Sequence, residues 1–183
     1  MSRILGISGS LRAGSFNTLL LKAAVPLLAD GDELSIATLH DIPLYDGDLE
    51  EANGLPASVV ALKQRITESD GVLLASPEYN NGIPGVFKNA IDWLSRPAAD
   101  IPQVFGNRAF AVIGASPSGF GTIMAQNAWL PILRALGARP WTGGRLLVAK
   151  AHQVFDPAGE IKDAAIREQL GKFVTGFAGF AGG

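Results

Sequence analysis

Ser8-Gly9-Ser10-Leu11-Arg12-Ala13-Gly14-Ser15-Phe16-Asn17-Thr18 follows the apolar run Arg3 to Ser8 and leads into Leu19, Leu20, Ala23, Ala24 and Leu27, which recur at helical spacing. The order is buried strand, Gly/Ser loop, helix, with Ser15 and Asn17 as candidate N-caps and the helix expected over Ser15 to Leu28. Free amides at a helix N-terminus and the positive end of its dipole favour an anion. Ser10, Ser15, Asn17 and Thr18 add short donors, Arg12 supplies one countercharge, and Gly9 and Gly14 let backbone come close. No Gly-Lys-Ser/Thr ending follows, so a nucleoside triphosphate is disfavoured. The spacing Gly6…Gly9…Gly14 also fails the dinucleotide fingerprint, leaving a single phosphate monoester as the better fit. The plain alternative for this loop alone is a capped helix after a turn.

The same alternation runs on. Strands are expected at Glu33–Leu39, Gly71–Ser76 and Arg108–Ala115, with a weaker strand region at 140–148 broken by Gly143 and Gly144. Helices are expected at Pro56–Ser69 with Pro56 in the first turn, at Val86–Ser95, at Ile123–Leu136 and at Ile161–Phe177. A long loop crosses Pro43, Tyr45 and Asp48, and the tail after Phe177 is expected to fray. Strands alternating with helices imply a parallel sheet covered on both faces, whose ligands bind beyond the carboxyl ends of the strands. Loops 8–18, 77–85 and 116–122 follow the first, third and fourth strands and should gather at one edge. The second, Pro77-Glu78-Tyr79-Asn80-Asn81-Gly82-Ile83-Pro84-Gly85, can lay backbone N–H and C=O groups along a planar heterocycle at little entropic cost, or be a Pro-stiffened turn. In the third, Gly119 and Gly121 either permit the turn or, with Ser116, touch a ligand.

A chain of 183 residues has the size of one α/β domain, and a single domain over residues 1–183 is expected. Hydrophobic residues make up 48% and charged ones 17%, which excludes a largely disordered chain. A net charge of −2 with no basic run argues against a nucleic-acid partner. Cysteine is absent, so disulfides, thiolate nucleophiles and thiolate ligands are excluded, and redox chemistry must be borrowed from a cofactor. The N-terminal apolar run is too short for a signal-peptide core or membrane span, so a cytoplasmic protein without a membrane partner is expected. His40 and His152 stand in no metal motif and read as loop or surface residues. Asp41, Asp46, Asp48, Glu50 and Glu51 read as a solvated stretch bordering an acceptor pocket, and Lys88 with Asp92 as a helix-surface pair.

Gly9-Ser10-Leu11-Arg12 with Ser15 and Asn17, Pro77-Glu78-Tyr79-Asn80, and Ile83-Pro84-Gly85 with Lys88-Asn89-Ala90-Ile91-Asp92-Trp93 resemble the NADPH-dependent FMN reductase family, most closely its bacterial quinone and chromate reductase branch. The likeness runs from about Ile4 to Phe173 with its blocks in order. It implies a flavodoxin-like three-layer sandwich around a five-stranded parallel sheet, bound FMN, and NAD(P)H as co-substrate. By the resemblance, Ser10, Arg12, Ser15, Phe16 and Asn17 hold the phosphate side of the cofactor, and Pro77, Glu78, Tyr79, Asn80 and Gly82 face the isoalloxazine and ribityl groups. Ser116 and Gly119 complete the site. The expected exchange passes a hydride from NAD(P)H to flavin N5 and then to a quinone, free flavin, azo compound or chromate, with no obligatory side-chain acid or base and no metal. The resemblance also implies a homodimer or homotetramer, giving exposed Phe87 and Trp93 a partner; an ordinary core position is the alternative for Trp93. Asn81-Gly82 and Ser118-Gly119 depart from many relatives beside the expected ring. A flavodoxin-type electron carrier is the nearest rival, disfavoured by the near-neutral charge, and a non-catalytic flavin-binding module is a further one.

Overall fold

The structure, a computed structural model, describes residues 1–183. Strands β1 (Arg3–Ser8), β2 (Glu33–Ala37), β3 (Gly71–Ala75) and β4 (Ala109–Ala115) form a parallel sheet in the order β2-β1-β3-β4, with two short strands, β5 (Arg139–Pro140) and β6 (Leu147–Val148), both parallel to β4. The fifth strand position is thus filled in two pieces. Between them the chain leaves the sheet at Trp141, whose ring packs edge-on to Phe173. Gly143, Gly144 and Gly176 make room for it, since a Cβ on any of them would come within about 3 Å of the indole.

The helices are α1 (Phe16–Ala24), α2 (Gly47–Asn53), α3 (Ala57–Thr67), α4 (Gly85–Leu94), α5 (Ile101–Val104), α6 (Ile123–Ala135), α7 (Ala151–Val154) and α8 (Ala164–Gly182). Period-2 alternation sorts the sheet residues between two cores. Ile4, Leu73, Ala75, Ala111 and Ile113 pack under α1 and α8, with Leu20, Leu21, Phe173 and Phe177. Leu5, Ile7, Val72, Leu74 and Phe110 pack under α3, α4 and α6, with Leu62, Ile66, Ile91, Trp129 and Leu133. The architecture is the expected flavodoxin-like α/β sandwich.

Several local expectations are corrected. The loop through Tyr45 and Asp48 contains α2, a helix with no buried residue that is capped by the Asp46 carboxylate and so carries no apolar stripe to read. Pro56 stands at the N-cap of α3, one place before its first turn. Helix α8 begins at Ala164, after its cap Asp163, and continues through the tail, because Phe177 and Ala178 are buried and Phe180 lies under the Arg139 guanidinium at 4.3 Å. Phe87 and Trp93 are core residues, 0% and 1% exposed, and offer a partner nothing. Phe87 packs edge-on to Trp129; Trp93 packs against Tyr45 and donates its indole N–H to the Pro43 carbonyl at 2.9 Å. Arg96 precedes a cis proline, Pro97.

Candidate flavin site

The sheet order reverses between β1 and β3, since β1 leads outward to β2 and β3 leads the other way to β4. The switch point lies there, and the loops after β1, β3 and β4 surround it. A cleft opens at that place, lined by Ser10, Arg12, Ser15, Phe16, Asn17, Pro77, Glu78, Tyr79, Ala115, Ser116 and Pro117. Nine residues picked from the sequence are therefore brought together. Asn80, Gly82 and Gly119 do not line the cleft, and Ala115 and Pro117 join it without having been picked.

The first loop is built around the start of α1. Ser15 Oγ accepts from the amides of Asn17 and Thr18 at 3.2 and 3.4 Å, so the capping hydroxyl is engaged within the chain. The amides of Ser10, Leu11 and Phe16 meet no acceptor of the chain. Arg12 is exposed and takes part in no ion pair. Gly9 is required by contact: a Cβ there would lie 2.1 Å from Phe87 Cδ1 and 2.9 Å from Pro77 Cδ. Gly14 has open space around it, so the close approach read from sequence belongs to Gly9 alone. His40 supports the loop from outside, its ring nitrogens 3.1 Å from Thr38 Oγ1 and 3.2 Å from the Leu11 carbonyl.

Asn17 does more than its motif suggested. Its buried amide donates to the Ala115 carbonyl at 2.9 Å and accepts from the Ala115 amide at 2.9 Å, fastening α1 to the end of β4. The two residues are 98 apart in sequence, and no local pattern could have signalled the pairing.

In the second loop Asn80 and Asn81 have φ of 50° and 60°, and Tyr79 and Gly82 exchange both backbone hydrogen bonds at 3.1 and 3.0 Å. This is the geometry of a tight primed turn, which asparagine tolerates better than other side chains. The Glu78 and Asn80 amides meet no acceptor of the chain, while Tyr79 is half exposed. Glu78 Oε2 accepts from the first amides of α6, Met124 at 2.8 Å and Ala125 at 3.0 Å.

The third loop is held from β6 and α7. Ser116 donates its amide to Val148, and its Oγ accepts from the Ser118 amide at 3.1 Å. Ala151 and Lys150 donate back to Ser116 and Ser118. Gly114 is the tightest point beneath it, where a Cβ would lie 2.1 Å from Thr122 Oγ1 and 2.3 Å from the Ser76 carbonyl oxygen.

These parts suit FMN. A phosphate needs free amides, hydroxyls and a cation, as at the α1 end, and a flat ring needs unpaired amides beside an exposed aromatic, as at the second loop. The sequence pattern of the family described as NADPH-dependent FMN reductase matches residues 2–153. An NAD(P)H-dependent FMN reductase of Pseudomonas aeruginosa is 39% identical over 168 residues, 92% of this chain and 89% of that protein. A quinone reductase of Escherichia coli is 33% identical over 184 residues, 97% and 94% of the two chains. Among solved structures, the flavoenzyme NAD(P)H:(acceptor) oxidoreductase FerB of Paracoccus denitrificans superposes with a TM-score of 0.83 at 34% identity, covering 100% of this chain and 98% of that one. With the cleft at the switch point and the family pattern covering most of the sequence, the chain belongs to the NADPH-dependent FMN reductase family.

Proposed function

We infer that this chain is an FMN-dependent NAD(P)H oxidoreductase that delivers electrons to a quinone. The convergence of nine sequence-picked residues on one cleft at the switch point carries the reading, supported by the names of the relatives. FMN held there would supply the hydride chemistry between NAD(P)H and the acceptor. The chain's own groups bind and orient. The amides of Ser10, Leu11 and Phe16, with Arg12, hold the phosphate; the Glu78 and Asn80 amides face the ring edge and favour negative charge gathering there. Tyr79 and Ser116 border the space that nicotinamide and acceptor occupy in turn.

Free flavin, azo compounds and chromate are the other acceptors the resemblance implies. We place the reaction in the cytoplasm, where reduced nicotinamide is supplied; no helix is long and apolar enough to cross a membrane. The chain acts as one domain and assembles as a homodimer or homotetramer, as the family resemblance implies.

The test is anaerobic. Purified protein loaded with FMN is mixed with NADPH or NADH and then with a quinone, following flavin absorbance. Bleaching by the nicotinamide, recovery on quinone addition and steady turnover are expected. A flavin that stays oxidised in the presence of both nicotinamides overturns the reading.

A further inference from the structure

Residues 77–83 form a piece that is stiff within itself and tied to the rest of the chain by few hydrogen bonds. Pro77 fixes its start, the Tyr79–Gly82 turn closes on its own two hydrogen bonds, and Pro84 begins the lead into α4. Beyond the contact of Ser76 Oγ with the Pro77 carbonyl, the only hydrogen bonds leaving this segment are the two accepted by Glu78 Oε2 from Met124 and Ala125. Buried Pro77 and Ile83, which packs on the second core, fix the two ends of the loop, so the Glu78 carboxylate sets how the turn between them is tilted.

We propose that Glu78 is a positioning residue, whose carboxylate locks the second loop onto the N-terminus of α6 and so sets where the outward amides of Glu78 and Asn80 stand. This deepens the FMN reading and rests on it. By the resemblance Glu78 faces the ring; the geometry gives its side-chain Oε2 to the protein. Hydrogen bonds from helix N-terminal amides to a carboxylate are charge-assisted, and they also satisfy two donors that α6 cannot pair internally. Asn17 makes the matching connection for the first loop, so loops one and two are both fastened to the strand–helix unit that carries loop three. All three walls of the cleft share one reference frame.

Because one oxygen accepts both bonds, the amide carbonyl of glutamine can replace it, whereas aspartate keeps the charge but falls one methylene short. The experiment compares the full-length Glu78→Gln, Glu78→Asp and Glu78→Ala proteins with the parent. FMN affinity is read by quenching of flavin fluorescence, and amide hydrogen exchange of Met124 and Ala125 is read without FMN. Glu78→Ala and Glu78→Asp should each weaken FMN binding about tenfold and speed exchange at those two amides, and Glu78→Gln should recover most of both losses, short only of the charge-assisted part. Parent-like affinity in Glu78→Ala, or a Glu78→Gln protein as impaired as Glu78→Ala, overturns the proposal; the second result gives the role to charge or direct contact. If the parent itself binds no FMN, the functional reading fails, while unprotected amides in the parent remove the brace independently.

Discussion

At the scale of single residues, what the sequence could announce depended on whether a residue's job is local. Ser15 is a cap, and capping is settled within three residues, so its role was legible. Asn17 looked equally local and is not, because its amide is committed to Ala115 across the sheet. Asn17→Ala leaves the buried Ala115 amide and carbonyl without partners, and a loss of about 2–4 kcal/mol in unfolding free energy is expected by urea denaturation. Arg12→Ala removes an exposed cation with no partner in the chain, so stability should stay within about 0.5 kcal/mol of the parent. FMN retention after dialysis should drop, and unchanged affinity removes Arg12 from the site. The two loop glycines separate in the same way. Gly9→Ala drives a Cβ into the buried Phe87 ring and should cost about 1–3 kcal/mol in the same assay, while Gly14→Ala meets no atom and should cost next to nothing.

Elements with one apolar face were legible, and those held by polar contacts were not. Strands β1, β3 and β4 alternate between two cores, and helices α1, α3, α4 and α6 bury a stripe, so hydrophobic period alone placed them. Helix α2 buries nothing and is held instead by Glu50, which receives the Tyr45 hydroxyl at 2.9 Å and the Arg96 Nε–H at 2.9 Å. Hydrogen bonding from Arg96 holds the Glu50 carboxyl below its ordinary 4.5, although burial pulls the other way. Accepting the Tyr45 hydroxyl raises the Tyr45 pKa above 10.0. A carboxylate with a lowered folded pKa binds fewer protons folded than unfolded, so its stabilisation is complete above 4.5 and disappears as pH falls through the lowered value. For Tyr45 the sign is opposite, and its share is present below 10.0 and lost as pH rises beyond it. The stability difference between the parent and Glu50→Gln should therefore be flat through neutral pH and shrink at both extremes. A difference that does not vary with pH removes the network as the agent holding α2.

Across the whole molecule, the two ends of the chain meet, and this is where local signals failed most. After Phe177 the residues Ala178-Gly179-Phe180-Ala181-Gly182-Gly183 carry no core period and three glycines, which is why a frayed tail is the natural reading. Packing outweighs propensity because the small residues let α8 come close to the sheet: a Cβ on Gly71 would lie 2.8 Å from Ala181 Cβ, and one on Gly182 would lie 2.5 Å from Ser2 Oγ. Ser2 Oγ donates to the Ala178 carbonyl at 2.9 Å, and Ser2 N donates to Asp32, so the N-terminal strand, the turn before β2 and the last helix are tied together. Arg139, at the far side of the sheet, rests on the Phe180 ring and donates to the Phe180 carbonyl at 3.3 Å. Ending the chain at Phe177 removes that ring and carbonyl and the acceptor for the buried Ser2 hydroxyl. With a partly buried phenylalanine and two lost hydrogen bonds, the truncated protein should be about 2–4 kcal/mol less stable in urea. The tail lies at the amino ends of the strands, opposite the cleft, so FMN affinity of the folded truncated protein should match the parent. A truncation that leaves the urea midpoint in place means the tail frays in solution, and one that abolishes FMN binding at unchanged stability means the two ends of the sheet are coupled.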